Sequence, residues 1–240
     1  MGMFFGARFR QGMKAAVPIW IAFVPSSLAW GIAAQGHGLT LQEVLLMSAL
    51  VYSGPAQFAV LVPLADGQSA LQVLVAGFLM NLRFLPMSMT LAPFFHGVKR
   101  LPLTLASHVV SASSFIVPYL QFEKERESHD GAAQAIDGGG NLAFFVGVGA
   151  TSFLVWLVGT GAGYGVALGF PPGFEEALKF ILPGYFAGLL VVEMRSRTMA
   201  LVCLASLIAA VPGALLSPGW GWLICATLAA LLGWGWETRR

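Results

Sequence analysis

The chain has 240 residues, of which 57% are hydrophobic and only 10% charged, and its mean hydropathy is +0.77. A soluble domain carries about 25% charged residues, so a water-soluble globular fold is excluded. The net charge of +2 is too small for a nucleic-acid partner, whereas 29 glycines beside so little charge suit helices in close contact within lipid.

Taken in chain order, the apolar runs predict spanning helices, each needing about 20 apolar residues. Arg8, Arg10 and Lys14 precede the first run, residues 15–34, which contains Pro18, Pro25 and Gly31. That run is longer than a signal-peptide core and lacks a small-residue cleavage pattern, so it reads as a retained first helix. The second run is 44–65. The third is about 70–95 and contains Arg83, Pro86 and Pro93. The fourth, 101–122, is weaker and rich in serine. The fifth begins near Asn141, and its uncharged stretch continues to residue 174 through glycines 159, 161, 163 and 165. It is too long for one simple helix and too glycine-rich to be straight. Three further runs are 177–192, 198–216 and 220–236. The expectation is an all-α, polytopic transmembrane bundle of about 7–8 helices with broken helices, seven if 101–122 is only interfacial.

The chain reads as one transmembrane domain, 1–240, in two halves. A first helical half, 15–122, is joined to a second, 141–236, by a charged, glycine-rich cytoplasmic linker, 123–140. Basic residues in the short connections favour both termini in the cytoplasm. Lys99 and Arg100, which fall outside on this count, are the main objection. The two halves resemble each other. Gly31-Ile32-Ala33 matches Gly165-Val166-Ala167, and at the same offset Ser27 meets Gly161, Trp30 meets Tyr164 and Gly54 meets Gly188. Internal repeats with broken segments at matching positions are a transporter signature. Whether this repeat is parallel or inverted depends on 101–122. Cys203 and Cys225 lie in apolar runs and read as packing residues.

Arg83 is the most informative residue. A charge at membrane depth costs roughly 2.5 to 3.5 kcal/mol on insertion scales, so it faces a cavity, the bundle interior or a partner. Its planar fork suits a carboxylate, Asn81 adds a donor and an acceptor, and Pro86 weakens the helix just downstream. The alternative is that Arg83 snorkels, or pairs with Asp66 or Glu193. The second feature is Ser53-Gly54-Pro55-Ala56-Gln57-Phe58. Gly54 and Pro55 free backbone groups that must be satisfied in protein or at a cavity. Ser53 and Gln57 stand beside that break, either to hold a zwitterionic substrate or as interhelical glue. His108, with Ser107 and Ser111, is a candidate proton carrier or a hydrogen-bonded packing residue. Gly147, Gly149, Gly161 and Gly165 permit close helix approach. No metal spacing, catalytic set or nucleotide loop stands out, so neither an enzyme nor a cofactor is expected.

The Ser53–Phe58 motif, followed by Asn81-Leu82-Arg83, resembles the large subunit of the AzlC-like branched-chain amino-acid exporters, in which a helix ending in Ala-Gly-small-small-Gln-Phe precedes Asn-Leu-Arg. Gly159, Thr160 and Gly163 also fit that pattern. The resemblance implies a secondary transporter exporting branched-chain or other small apolar amino acids across the bacterial inner membrane. It also implies a separately encoded, small AzlD-like membrane subunit as partner. Pro55, where small residues are common, and Phe84, where His often follows the Arg, depart from the family pattern and put substrate identity in question. The rival classes are a passive channel, which needs a polar stripe along one helix face, and a non-transporting subunit of a membrane complex.

Overall fold

In a computed structural model of the chain, residues 2–128 and 138–169 are described, with a few single positions beyond them. The described residues are helical throughout: α1 (Gly2–Gly36), α2 (Leu41–Leu50), α3 (Gly54–Ala65), α4 (Ala70–Asn81), α5 (Phe84–Leu91) with a 3-10 turn at Ala92–Phe95, α6 (Arg100–Ser107), α7 (Ala112–Ser128) and α8 (Gly138–Leu168). The runs 177–192, 198–216 and 220–236 lie outside the described residues, as do Gly188, Lys179, Glu193 and both cysteines.

Prolines place the interruptions four residues upstream of themselves. A proline has no N–H for the carbonyl of residue i−4, and its ring crowds that carbonyl. Pro25 withholds a donor from Ile21, and α1 bends by 59° between Gly6–Ile21 and Phe23–Gly36. Pro55 withholds one from Val51, and α2 ends there; the Val51 carbonyl accepts instead from Ser53 N–H at 2.6 Å. Pro86 withholds one from Leu82, whose carbonyl accepts from Leu85 N–H at 3.0 Å, and the α-helical bonding lapses at Leu82 and Arg83 between α4 and α5 while the backbone there keeps helical angles. The expected breaks near Gly54-Pro55 and between Asn81 and Pro86 are both present.

Helix α8 is one continuous helix of 31 residues, about 46 Å long at 1.5 Å per residue. This corrects the expectation that its glycines break it. They serve a contact instead. Arg8 reaches Asn141, 133 positions on. A Cβ at Gly12 would strike the Phe144 carbonyl, at Gly147 the Phe9 carbonyl, at Gly159 the Ser27 hydroxyl and at Gly163 the Leu28 carbonyl. These partners advance together, so α1 and α8 run side by side in the same direction with backbones touching. The helices that the sequence repeat equates are therefore parallel neighbours. Gly161 and Gly165, expected at close approaches, have ordinary or open surroundings. They lie off the contacting face.

Two of the expected spans do not cross. Along α8, Leu45 of α2 lies by Gly161, Ser48 by Thr160, and Tyr52 by Phe153. The chain then returns, for Phe58 of α3 lies against Trp30, the residue that also bonds Ser48. Residues 41–65 thus form a hairpin that enters from one end and turns back. Residues 100–128 form a second hairpin from the other end. Its start follows His96, whose carbonyl touches Gly138, and its finish packs Phe122 on Phe94, Phe95 and Phe144. Its tip reaches Gly149 and Phe153 on α8, roughly 16–22 Å from Gly138 at 1.5 Å per residue. Serines build this tip. Ser111 N–H donates to Ser114 Oγ at 2.7 Å, Ser114 N–H to Ser111 Oγ at 3.2 Å, and Ser114 Oγ–H to the Val109 carbonyl at 2.6 Å. Backbone groups inside a membrane need such partners. Between the hairpins Ala70–Phe95 is long and apolar enough to cross a membrane, with Gly67 and Gly97 at positive φ turning the chain just outside its two ends.

The second hairpin places Lys99 and Arg100 at the end that holds Arg8 and Gly138. Among the described residues Arg8, Arg10, Lys14, Lys99, Arg100, Lys124 and Arg126 all belong to that end. Of the expected linker 123–140, residues 123–128 continue α7 and 138–140 open α8, and the rest lies outside the described residues. Arg8 fastens this end, bonding Glu125 twice, at 2.8 and 2.9 Å.

Candidate functional site

The two hairpin tips and the α4–α5 joint meet about halfway along α8 and line an open cavity of about 590 Å³. The first tip contributes Leu50, Val51, Tyr52 and Ser53. The joint contributes Phe78, Asn81, Leu82, Phe84, Leu85 and Ser88. The second tip contributes Ser107, His108 and Val110. Ligand sites of roughly 300–1,000 Å³ with apolar walls and a few convergent polar groups are the common pattern.

Three of the polar groups are idle. Tyr52 and Ser53 are 6% and 5% exposed, and the Tyr52 hydroxyl, Ser53 Oγ and Asn81 Oδ1 have no hydrogen-bond partner among the described residues. The Tyr52 hydroxyl has Ser111 beside it but not in hydrogen-bonding position. Ser53 is the N-cap of α3 yet makes no side-chain cap bond. Burying such groups unpaired costs about 1–3 kcal/mol each, a cost a ligand would relieve. The helix ends add charge. α2 points its C-terminus, and α3 its N-terminus, at the same place, so partial negative and positive ends lie side by side.

The candidate residues divide. Ser53, Asn81 and His108 line the cavity. Gln57 stands behind it, fully buried, and its amide is engaged at both ends. Nε2 donates to Ser48 Oγ at 3.0 Å and Oε1 accepts from Trp156 Nε1 at 3.2 Å. Trp30 Nε1 donates to the same Ser48 Oγ at 2.9 Å, and Thr160 Oγ1 lies 3.4 Å from it. This network binds α1, α2, α3 and α8 together. Gly54 and Pro55 open α3 without lining the cavity. Arg83, expected to line it, does not: its guanidinium stands over the Phe84 ring, 5.1 Å from the centroid, and Phe84 forms the wall. At the joint, successive side chains fan out in different directions, so Asn81 and Phe84 face inward where Arg83 does not.

His108 Nε2 lies 2.8 Å from the Ala49 carbonyl, and its ring 5.7 Å from that of Phe153. Tyr52 and Ser88 are lining residues that the motif reading missed. Tyr52 was traceable from Pro55, which frees the backbone three and four residues before itself. Ser88 carries no sequence signal.

This is a membrane protein, helical over its described residues, with an apolar-walled cavity that carries a few polar groups between interrupted helices. The chain belongs to the AzlC family: the AzlC protein family matches residues 18–168, well over half its length. It is similar to Inner membrane protein YgaZ of Escherichia coli (strain K12), 24% identical over 244 residues that cover 96% of this chain and 93% of that protein. It is also similar to an uncharacterized membrane protein of Archaeoglobus fulgidus, 25% identical over 193 residues covering 80% and 78%. No solved structure matches it.

Proposed function

We propose that this chain is a secondary transporter, not an enzyme, that exports branched-chain or other small apolar amino acids across the bacterial inner membrane. The observation that carries the reading is the convergence of two helix breaks and a hairpin tip on one cavity whose Tyr52, Ser53 and Asn81 polar atoms await a partner. In this reading Ser53, Asn81 and the adjoining ends of α2 and α3 hold the two charges of a zwitterion. Phe78, Leu85 and Val110 meet an apolar side chain. Arg83 acts from the rim, drawing the carboxylate toward the α4–α5 joint.

The cavity has an open flank. Phe78, Leu82, Leu85 and Met89 along it are exposed, at 66%, 43%, 62% and 67%. Hydrocarbon beside Asn81 and His108 would leave polar groups unsatisfied. That supports the small AzlD-like membrane subunit as the wall that closes it. The basic residues gathered at the Arg8 end favour that end in the cytoplasm, and the inner-membrane name of the Escherichia coli relative supports that membrane.

The test is counterflow. The purified chain, with and without the companion subunit, is placed in liposomes preloaded with leucine, and entry of labelled leucine, isoleucine and valine is followed at equal pH. Saturable uptake accelerated by internal leucine is expected. A linear flux without acceleration would mean a channel, and no flux with either composition would reject transport.

A further inference from the structure

The two hairpins enter from opposite ends, and His108 joins their tips. A backbone carbonyl only accepts, so the 2.8 Å contact with the Ala49 carbonyl fixes a proton on Nε2. The Ala49 carbonyl is available because the break at Pro55 turns Ser53 N–H to Val51 instead. Nδ1 has no hydrogen bond among the described residues, and the ring is exposed within the cavity.

We propose that His108 is the proton-exchanging joint of the transport cycle, a proposal that rests on the transporter reading. With the cavity open to one side, Nδ1 takes a proton from water there, and the ring becomes an imidazolium that still donates through Nε2. The Nε2–Ala49 bond is then charge-assisted, at the negative end of α2, and the tips are held together more firmly. When the cavity opens to the other side, Nδ1 returns its proton to water there and the joint loosens. The groups around it permit the exchange. The first hairpin presents the Tyr52 phenol, α8 presents Phe153, the second hairpin presents Ser107, and the α4–α5 joint carries Arg83 outside the lining. Among the described lining residues none is a carboxylate.

The experiment compares the full chain, in whichever subunit composition gives leucine counterflow, with His108→Gln and His108→Ala. Gln keeps an N–H donor for Ala49 but takes no second proton. Two rates are read: counterflow at equal pH, and leucine accumulation driven by an imposed pH gradient. For His108→Gln the ratio of gradient-driven to counterflow rate is expected to fall at least about tenfold, and the remaining counterflow is expected to lose its dependence on pH. His108→Ala is expected to lose both rates. A ratio in His108→Gln equal to that of the unmodified chain overturns the proposal, as does an unmodified chain indifferent to the gradient. Absence of counterflow in the unmodified chain overturns the transporter reading itself.

Discussion

At the scale of single residues, the polar side chains near the first break do opposite work. Ser53 and Asn81 carry atoms that bond nothing among the described residues, so their removal costs the empty protein no bond. Ser53→Ala and Asn81→Ala are expected to raise the KM for leucine severalfold to about tenfold, at unchanged thermal stability. Gln57 is the reverse. Its loss leaves Ser48 and Trp156 with unpaired buried groups, so Gln57→Ala is expected to destabilise the fold by about 2–4 kcal/mol. Thermal unfolding in detergent measures it; an unchanged midpoint would refute the network's role. The motif contained both kinds of residue, but its letters do not say which way each side chain points. Ser53 and Gln57, four apart, would share a face if both were helical, but Ser53 is the extended N-cap of α3, so its side chain leaves in a different direction.

At the scale of elements, prolines and glycines were the legible features, with an offset in one case and a wrong face in the other. The breaks are set by Pro25, Pro55 and Pro86 but fall at the carbonyls four residues earlier, which is why Tyr52 became a lining residue. The glycines of α8 announced a close helix contact without naming its face. Gly163 lies on it and Gly165 does not. Gly163→Ala should drive a methyl group into the Leu28 backbone and cost roughly 1–3 kcal/mol. Gly165→Ala meets open space, and should be neutral or mildly stabilising because alanine favours helix. Comparison of the two melting midpoints tests the parallel α1–α8 contact directly, since equal effects would be incompatible with it.

At the scale of the whole molecule, the two hairpins distinguish this architecture from a simple bundle of spans. They bring residues 99 and 124 to the same end as Arg8. With Cys203 and Cys225 replaced, Lys99→Cys and Lys124→Cys are expected to react with a membrane-impermeant thiol reagent from the same side, and Asp66→Cys from the other. Labelling of Lys99→Cys and Lys124→Cys from opposite sides would restore 101–122 as a span.

Composition placed the chain in a membrane, and apolar runs of about 20 residues made it helical, because lipid leaves backbone groups no partner outside a helix or a closed barrel and barrel strands are only about half that length. The local chemistry of Pro55 and Pro86 determined where helices break. Hydropathy, however, counts apolar residues in a run and is blind to the direction the chain takes after a break. Only tertiary contacts decided that 41–65 and 100–128 turn back: Phe58 returning to Trp30, and Phe122 to Phe94. The meeting of Ser53, Asn81 and His108 follows from those turns. Residues 53 and 108 stand far apart along the chain, and no spacing rule links them. They share one cavity because hairpins entering from opposite ends of α8 must both stop where they meet.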